Sequence, residues 1–317
     1  MDPPAVLRLA HLSDVHLAPM PRVRPSLLLG KRLLGWLSWT LRRRHLHRRA
    51  VLDAVVADMR RQAPDHVLVT GDLVNISLPE EYAQAARWLA ELAPPERVLL
   101  VPGNHDAYVA GAAEAGWIRW APWMGGENGG GAAFPWLRRL GAAAVLGLST
   151  AVPTPPGYAS GRLGEEQLRG LERRLRQLAA EGLFRIVLLH HPPLPVSRPR
   201  KALEDREAFC AVIRSAGAEL VLSGHEHRFH EGRLAGPDGP VPAFVAPSAS
   251  LLEERPEKRG GYLLFQIGRR SGGWRVTVRL RRHRPTGTGL EDTLEREIDL
   301  PRATGAATAG CVAGGVP

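Results

Sequence analysis

Apolar positions along the chain follow two rhythms. Short continuous runs at Val6–Leu12, His66–Thr70, Arg97–Val101, Ala142–Leu148, Phe184–Leu189 and Glu219–Leu222 have the length and composition of buried strands. Between them, apolar residues recur every three or four positions. Leu52, Val55, Val56 and Met59 predict a helix over 48–61. Tyr82, Ala85, Ala86, Leu89 and Leu92 predict one beginning at Pro79, where proline sacrifices no hydrogen bond and Glu80 and Glu81 suit the helix dipole. Leu168, Leu171, Leu175 and Leu178 predict a third over 164–182, ended by Gly182. Further helices are expected over 107–120 and 203–216. After this the rhythm changes: Pro242–Val245, Gly261–Gln266 and Gly273–Leu280 are strand-like, joined by glycine-rich turns without a helical period, and are expected to be antiparallel.

Alternating strands and helices, in 317 residues of which 44 % are hydrophobic, predict one large α/β domain over residues 1–300. Residues 301–317 are rich in Gly, Ala and Thr and are expected to form a disordered tail. Two cysteines, Cys210 and Cys311, exclude a disulfide framework, and Cys210 reads as a core residue. The chain shows no signal-peptide pattern and no uncharged apolar run of about 18 residues, so a cytoplasmic protein is expected. The glycine-rich stretch 125–131 lacks the Gly-Lys-Ser/Thr ending of a phosphate-binding loop and reads as surface loop.

The chemistry gathers where the apolar runs stop. The first run ends in Asp14-Val15-His16, the second in Gly71-Asp72, the third in Gly103-Asn104-His105-Asp106. Two later runs end in His190-His191-Pro-Pro and Gly224-His225-Glu226-His227. Ligand sites of open α/β sheets lie at the carboxyl ends of the strands. Imidazole, carboxylate and one amide oxygen are the ligand set of ions such as Zn, Mn, Fe or Co. The seven groups Asp14, His16, Asp72, Asn104, His190, His225 and His227 exceed what one four-coordinate site needs, and divide between two metals sharing a carboxylate. A glycine before three of these motifs permits a sharp turn and close backbone approach.

The ordered set Asp-x-His, Gly-Asp, Gly-Asn-His-Asp, His, Gly-His-x-His resembles the calcineurin-like metallophosphoesterases, and within them the branch of cyclic-nucleotide and glycerophosphodiester phosphodiesterases. The resemblance spans Val6 to about Ser250. It implies a four-layer α-β-β-α sandwich with two mixed sheets and a dinuclear metal site (Mn, Fe or Zn) at the carboxyl ends of the strands. It implies that Asp14, His16, Asp72 and His227 hold one ion, that Asp72, Asn104, His190 and His225 hold the other, and that Asp72 bridges. The implied activity is hydrolysis of a phosphodiester or phosphomonoester by metal-bound hydroxide. His105 would face the substrate phosphate beside Asn104, and Asp106 would orient the His105 imidazole. Asn75, whose alternative is a loop-turn asparagine, and His191 are further candidate substrate contacts. Glu226 is expected to face away and pair with an arginine. Every implied ligand and His105 are present, which counts against a scaffold that binds without cleaving.

The net charge of +10 concentrates in one place. Residues 20–49 form an insert longer than a βα loop needs, with nine Arg or Lys, no acid, and Leu27, Leu28, Leu29, Leu33, Leu34, Trp36, Leu37, Trp39 and Leu41. This composition suits a helix packed on the domain with solvated arginines. It equally suits contact with an anionic membrane at its inner face, or a lid for a lipid-linked substrate such as a UDP-sugar lipid cleaved at its pyrophosphate. Nucleic acid, and with it a nuclease, ranks behind these, because few aromatics interleave the basic residues for base stacking.

Overall fold

A computed structural model describes residues 6–111, 116–126, 133–284 and 289–303. Two six-stranded sheets face each other. The first has the order β12-β11-β10-β1-β2-β3: β1 (Leu7–Leu12), β2 (His66–Val69) and β3 (Val98–Leu100) run parallel, and β10 (Gly261–Arg270), β11 (Gly273–His283) and β12 (Leu290–Pro301) continue it antiparallel from β1. The second has the order β4-β5-β6-β7-β9-β8. In it β5 (Ala143–Gly147), β6 (Phe184–Leu188), β7 (Leu220–Ser223) and β9 (Val241–Val245) are parallel, while β4 (Trp136–Leu140) and β8 (His230–Leu234) are antiparallel edges. The stretch ending at Val245 therefore departs from the expected antiparallel arrangement: β9 pairs parallel with β7 and antiparallel only with β8.

Continuous apolar runs are what a strand covered on both faces requires, and the burial shows why. Leu9, Leu68 and Leu99 point to the inner face against Ile186, Leu188, Leu220, Leu222 and Phe244 of the opposite sheet. Their neighbours Ala10, Val67, Val69 and Leu100 point outward beneath Leu52, Val55 and Met59 of one helix and Tyr82 and Leu89 of another. These residues lie on α2 (Arg49–Arg61) and α3 (Pro79–Leu92); α1 is Lys31–Ser38 in the insert. On the second sheet, Leu146, Val187 and Val221 lie beneath Leu171, Leu175 and Leu178 of α4 (Glu165–Ala180) and Phe209 and Ile213 of α5 (Arg206–Ala216). Helix, sheet, sheet and helix thus form four layers around three apolar clusters. Each fully buried aliphatic side chain contributes about 1.5–3 kcal/mol.

Three strands have no counterpart in the apolar rhythm: β4, β8 and β12, each at a sheet edge, where one covered face suffices and charge is tolerated. The β11–β12 pair carries cross-strand ion pairs, Arg275 with Asp299 and Arg281 with Asp292. The helix expected over 107–120 is not formed across 107–111, and residues 112–115 lie outside the described residues. So do the expected tail from 304 onward and most of the 125–131 stretch. Cys210 is half-buried on α5 at the edge of the third cluster.

One buried ion pair ties the second sheet to its helices. Arg185 on β6 donates from Nε (2.9 Å) and Nη2 (2.8 Å) to the two oxygens of Glu219, and from Nη1 to the carbonyl of Ala216 at 2.7 Å. Removing one partner strands the other charge. Glu219→Ala is expected to destabilise the protein by about 3–5 kcal/mol in urea unfolding; a change below about 1 kcal/mol would contradict this account.

Candidate metal centre

The carboxyl ends of β1, β2, β3, β6 and β7 converge, and all seven expected ligand residues meet there. Asp14, His16, Asp72 and His190 are fully buried or nearly so, as are Asn104 and His225; His227 lies at the rim. His16 Nε2 stands 3.7 Å and His190 Nε2 3.5 Å from the same oxygen, Oδ2 of Asp72. His227 Nε2 is 3.2 Å from Asp14 Oδ1 and 3.3 Å from His16 Nε2. On the other side, Asn104 Oδ1 lies 3.2 Å from His190 Nε2 and 2.9 Å from His225 Nδ1. The donor atoms of Asp14, His16, Asp72 and His227 all lie within 4.8 Å of one another.

The backbone that aims these groups is strained. Asp14, His16, Asp72, His225 and His227 have φ of 51°, 40°, 57°, 74° and 56°, a region that side-chain-bearing residues rarely adopt. Left-handed residues two apart turn both outer side chains of Asp14-Val15-His16 and His225-Glu226-His227 to one side. A concentration of such residues marks a site where positioning outweighs local stability. Gly71 and Gly103 let their two loops touch backbone to backbone, since a Cβ on Gly71 would collide with the Gly103 amide.

Hydrogen bonds fix the imidazoles. His16 Nδ1 donates to Val74 O (3.2 Å) and His190 Nδ1 to Thr70 O (2.5 Å), which leaves both Nε2 lone pairs facing the centre. Burial pushes His16 and His225 well below the ordinary imidazole range, so their rings are neutral ligands in waiting. Burial pushes Asp72 up, but the surrounding imidazoles, His190 first, hold it well below the usual carboxylate range. Asp14 accepts from Ser13 Oγ and from the His225 amide on Oδ2, while buried Oδ1 has no hydrogen-bond donor. His16 Nε2, His227 Nε2 and the buried Oδ1 of Asp14 converge at 3.2–3.3 Å, a donor set that suits a cation. The residues fit metal ions.

Asp106 does not reach the His105 imidazole, contrary to the expectation. Its carboxylate accepts the amides of Asp72 (2.8 Å), Leu73 (2.9 Å), Val74 (3.1 Å) and Gly103 (2.8 Å), binding the second and third motif loops to each other. His105 is held by Asn75, whose carbonyl accepts from Nδ1 at 2.6 Å. The Asn75 carboxamide points elsewhere, donating to Leu17 O. His191 bonds Thr150 Oγ1 and Ala159 O and packs on the His225 ring at 4.4 Å, outside the ligand cluster. Glu226 faces away, but its partner is the Ser197 hydroxyl and not an arginine.

Two residues that the motifs did not single out reach the centre from the insert. His47, with Nδ1 on Ser250 Oγ, places its ring 4.4 Å from His16 and 5.3 Å from His227. Arg43 lies against His16 and His105. No local signal separates Arg43 from Arg42 and Arg44, and His47 lies past the helical turns in extended backbone. A cavity of about 340 Å³ opens beside the centre, lined by Lys31, Arg43, His105, Tyr108, Arg200 and Lys201 among others.

Four amide donors on one carboxylate make Asp106 sensitive to charge. Asp106→Asn, which sets an amide against those donors, is expected to cost about 2–3 kcal/mol in urea unfolding. An unchanged midpoint would show that the loops hold without it.

The family model for calcineurin-like phosphoesterases matches residues 7–229, which include all seven candidate ligands. The chain is 26 % identical over 258 residues to a probable cyclic nucleotide phosphodiesterase of Rhodococcus erythropolis, a match covering 80 % of this chain and 74 % of that protein. It is 31 % identical over 176 residues to the glycerophosphodiester phosphodiesterase GpdQ of Enterobacter lignolyticus, covering 53 % of this chain and 57 % of that one. A dimetal phosphatase from Danio rerio shares the fold with a TM-score of 0.58 at 14 % identity, over 93 % of this chain and 99 % of that chain.

Proposed function

This chain belongs to the calcineurin-like phosphoesterase family, and we propose that it hydrolyses a P–O bond of a small anionic phosphodiester at a dinuclear metal centre. The observation that carries the reading is the single oxygen of Asp72 set between His16 and His190, which lets one carboxylate serve two ligand sets. Asp14, His16, Asp72 and His227 would hold one ion, and Asp72, Asn104, His190 and His225 the other, with Mn, Fe or Zn as candidates. Bound there, two such ions supply Lewis acidity toward phosphoryl oxygens and acidify a water. Preference for a diester is supported by the relatives named as phosphodiesterases.

The chain's own residues do the positioning. Asn75 O holds His105 by Nδ1 and leaves Nε2 facing the cavity where the substrate would sit. Tyr108 stacks on His105 at 5.3 Å and keeps the ring in plane. Asp106 acts through the backbone, keeping Asp72 and the Asn104-His105 pair in register.

The purified protein, stripped of metal and reloaded with Mn²⁺, is expected to turn over bis-p-nitrophenyl phosphate and to bind two ions per chain by elemental analysis. Asp72→Ala should lose both properties, and His105→Ala should keep the ions while kcat falls about 10²-fold or more. Turnover surviving in Asp72→Ala would overturn the reading.

A lipid-linked substrate met at an anionic membrane is supported by a separate observation. Among the described residues no helix is long and apolar enough to cross a membrane. Yet Leu29 and Leu41 are 75 % and 77 % exposed, with Leu33, Leu34 and Leu37 also exposed along α1, beside exposed Arg42 and Arg44. Leu34 also lines the cavity, which places apolar surface at its mouth. Vesicles containing phosphatidylglycerol should sediment the protein at low salt, and Leu37→Asp with Leu41→Asp should abolish this. Equal sedimentation of the double variant would remove this reading and leave the soluble diester.

A further inference from the structure

The insert holds three consecutive arginines whose environments differ sharply. Arg42 and Arg44 are exposed, whereas Arg43 turns inward. It ends a wide, π-helical turn, Trp39–Arg43, a distortion common at functional sites. Its Nη2 lies 3.0 and 3.1 Å from the two ring nitrogens of His16, and its Nη1 3.3 and 3.4 Å from those of His105. Near-equal distances to both nitrogens of each ring place the guanidinium against the imidazoles, not in a directed bond to one of them. The Nδ1 atoms of both rings are already committed to the carbonyls of Val74 and Asn75. Among the described residues no carboxylate lies within ion-pair distance of Arg43.

A half-buried guanidinium without a carboxylate partner is not there by slack in the segment that carries it. Trp39 is buried, His47 bonds Ser250, the Arg48 amide donates to Ser250 O, and the Leu252 amide to Leu46 O. Gly35 touches Ile76 and Tyr108 so closely that a Cβ would collide with both side chains. The insert is thus fixed to the domain on both sides of Arg43. What the guanidinium faces is a cavity shared with His105, Asn104 and three further cations, Lys31, Arg200 and Lys201. A planar fork of N–H donors matches two oxygens of one phosphoryl group.

We propose that Arg43 is a catalytic residue that grips the non-bridging oxygens of the phosphoryl group transferred to water, so that the insert is part of the active site. This rests on the phosphoesterase reading above and adds to it the anion-binding group and the chemistry it recognises, a tetrahedral oxyanion.

The test compares wild type, Arg43→Ala, Arg43→Lys and the exposed control Arg44→Gln, all loaded with Mn²⁺. Four properties are read: metal content, melting temperature, inorganic phosphate affinity by calorimetry, and turnover of bis-p-nitrophenyl phosphate. Arg43→Ala is expected to keep two ions and the wild-type melting temperature, to bind phosphate at least about tenfold more weakly, and to lose kcat/KM by about 10²–10³-fold. Added guanidinium ion should restore part of its activity saturably, which a merely structural role would not allow. Arg43→Lys should fall between, since it keeps the charge without the fork, and Arg44→Gln should match wild type. Unchanged phosphate affinity in Arg43→Ala would overturn the proposal. So would lost activity accompanied by a lower melting temperature and no guanidinium rescue. If wild type itself shows no metal-dependent turnover, the phosphoesterase reading fails separately, while the phosphate affinities still decide for or against Arg43.

Discussion

The carboxylate of Asp106 gathers four backbone amides from two loops, and the geometry of the centre depends on it. Those loops follow β2 and β3 and carry Asp72, Asn104 and His105. Without this shared acceptor, their buried N–H groups would have no partner, and Asp72 and Asn104 would lose four of the bonds that hold them in register. The carboxylate is fully buried, so each of these bonds forms in a low-dielectric setting where its strength and directionality are high. Asp72 is itself drawn in by the His105 amide, which donates to its Oδ1 at 2.7 Å and leaves Oδ2 for the imidazoles.

Around this hub the fold places chemistry at low cost and spends strain only where aim matters. Parallel strands with both faces covered tolerate any residue type beyond their last position, so five strand ends can carry ligands without disturbing the three apolar clusters. The expense appears in the turns, where five candidate ligand residues occupy left-handed backbone. Such conformations cost about 1–3 kcal/mol each and persist because the surrounding sheets over-determine them. Backbone carbonyls of Thr70 and Val74 then select the tautomers of His190 and His16, so that the loop carrying Asp72 also directs the lone pairs of two imidazoles carried by other strands.

The insert answers to a different constraint. Its inner face, Gly35, Trp39, Arg43 and His47, must match the rim of the centre, while its outer face keeps exposed leucines among arginines. One segment therefore touches both the ligand cluster and the solvent side of the cavity mouth, and couples what approaches the site to the groups that would receive it.

Much of this was legible in the residues alone. Strand runs, the helices α2 to α5 and the residues that meet at the centre carry local signatures: buried strands must be apolar throughout, and ligand chemistry needs particular side chains just past them. The edge strands β4, β8 and β12 were not legible, because a strand with one covered face and charged partners has no such signature. Nor were the partners of Asp106, the placement of the Asn75 and His191 side chains, or the inward turn of Arg43. Three adjacent arginines are alike as sequence. Which of them turns toward the centre depends on how a wide helical turn docks against loops dozens of residues away, and which atoms Asp106 binds depends on two loops meeting. Local composition alone was enough to settle which chemical groups stand at the strand ends. Which other groups face them was decided only in the folded chain, because it depends on contacts between distant segments that no local pattern specifies.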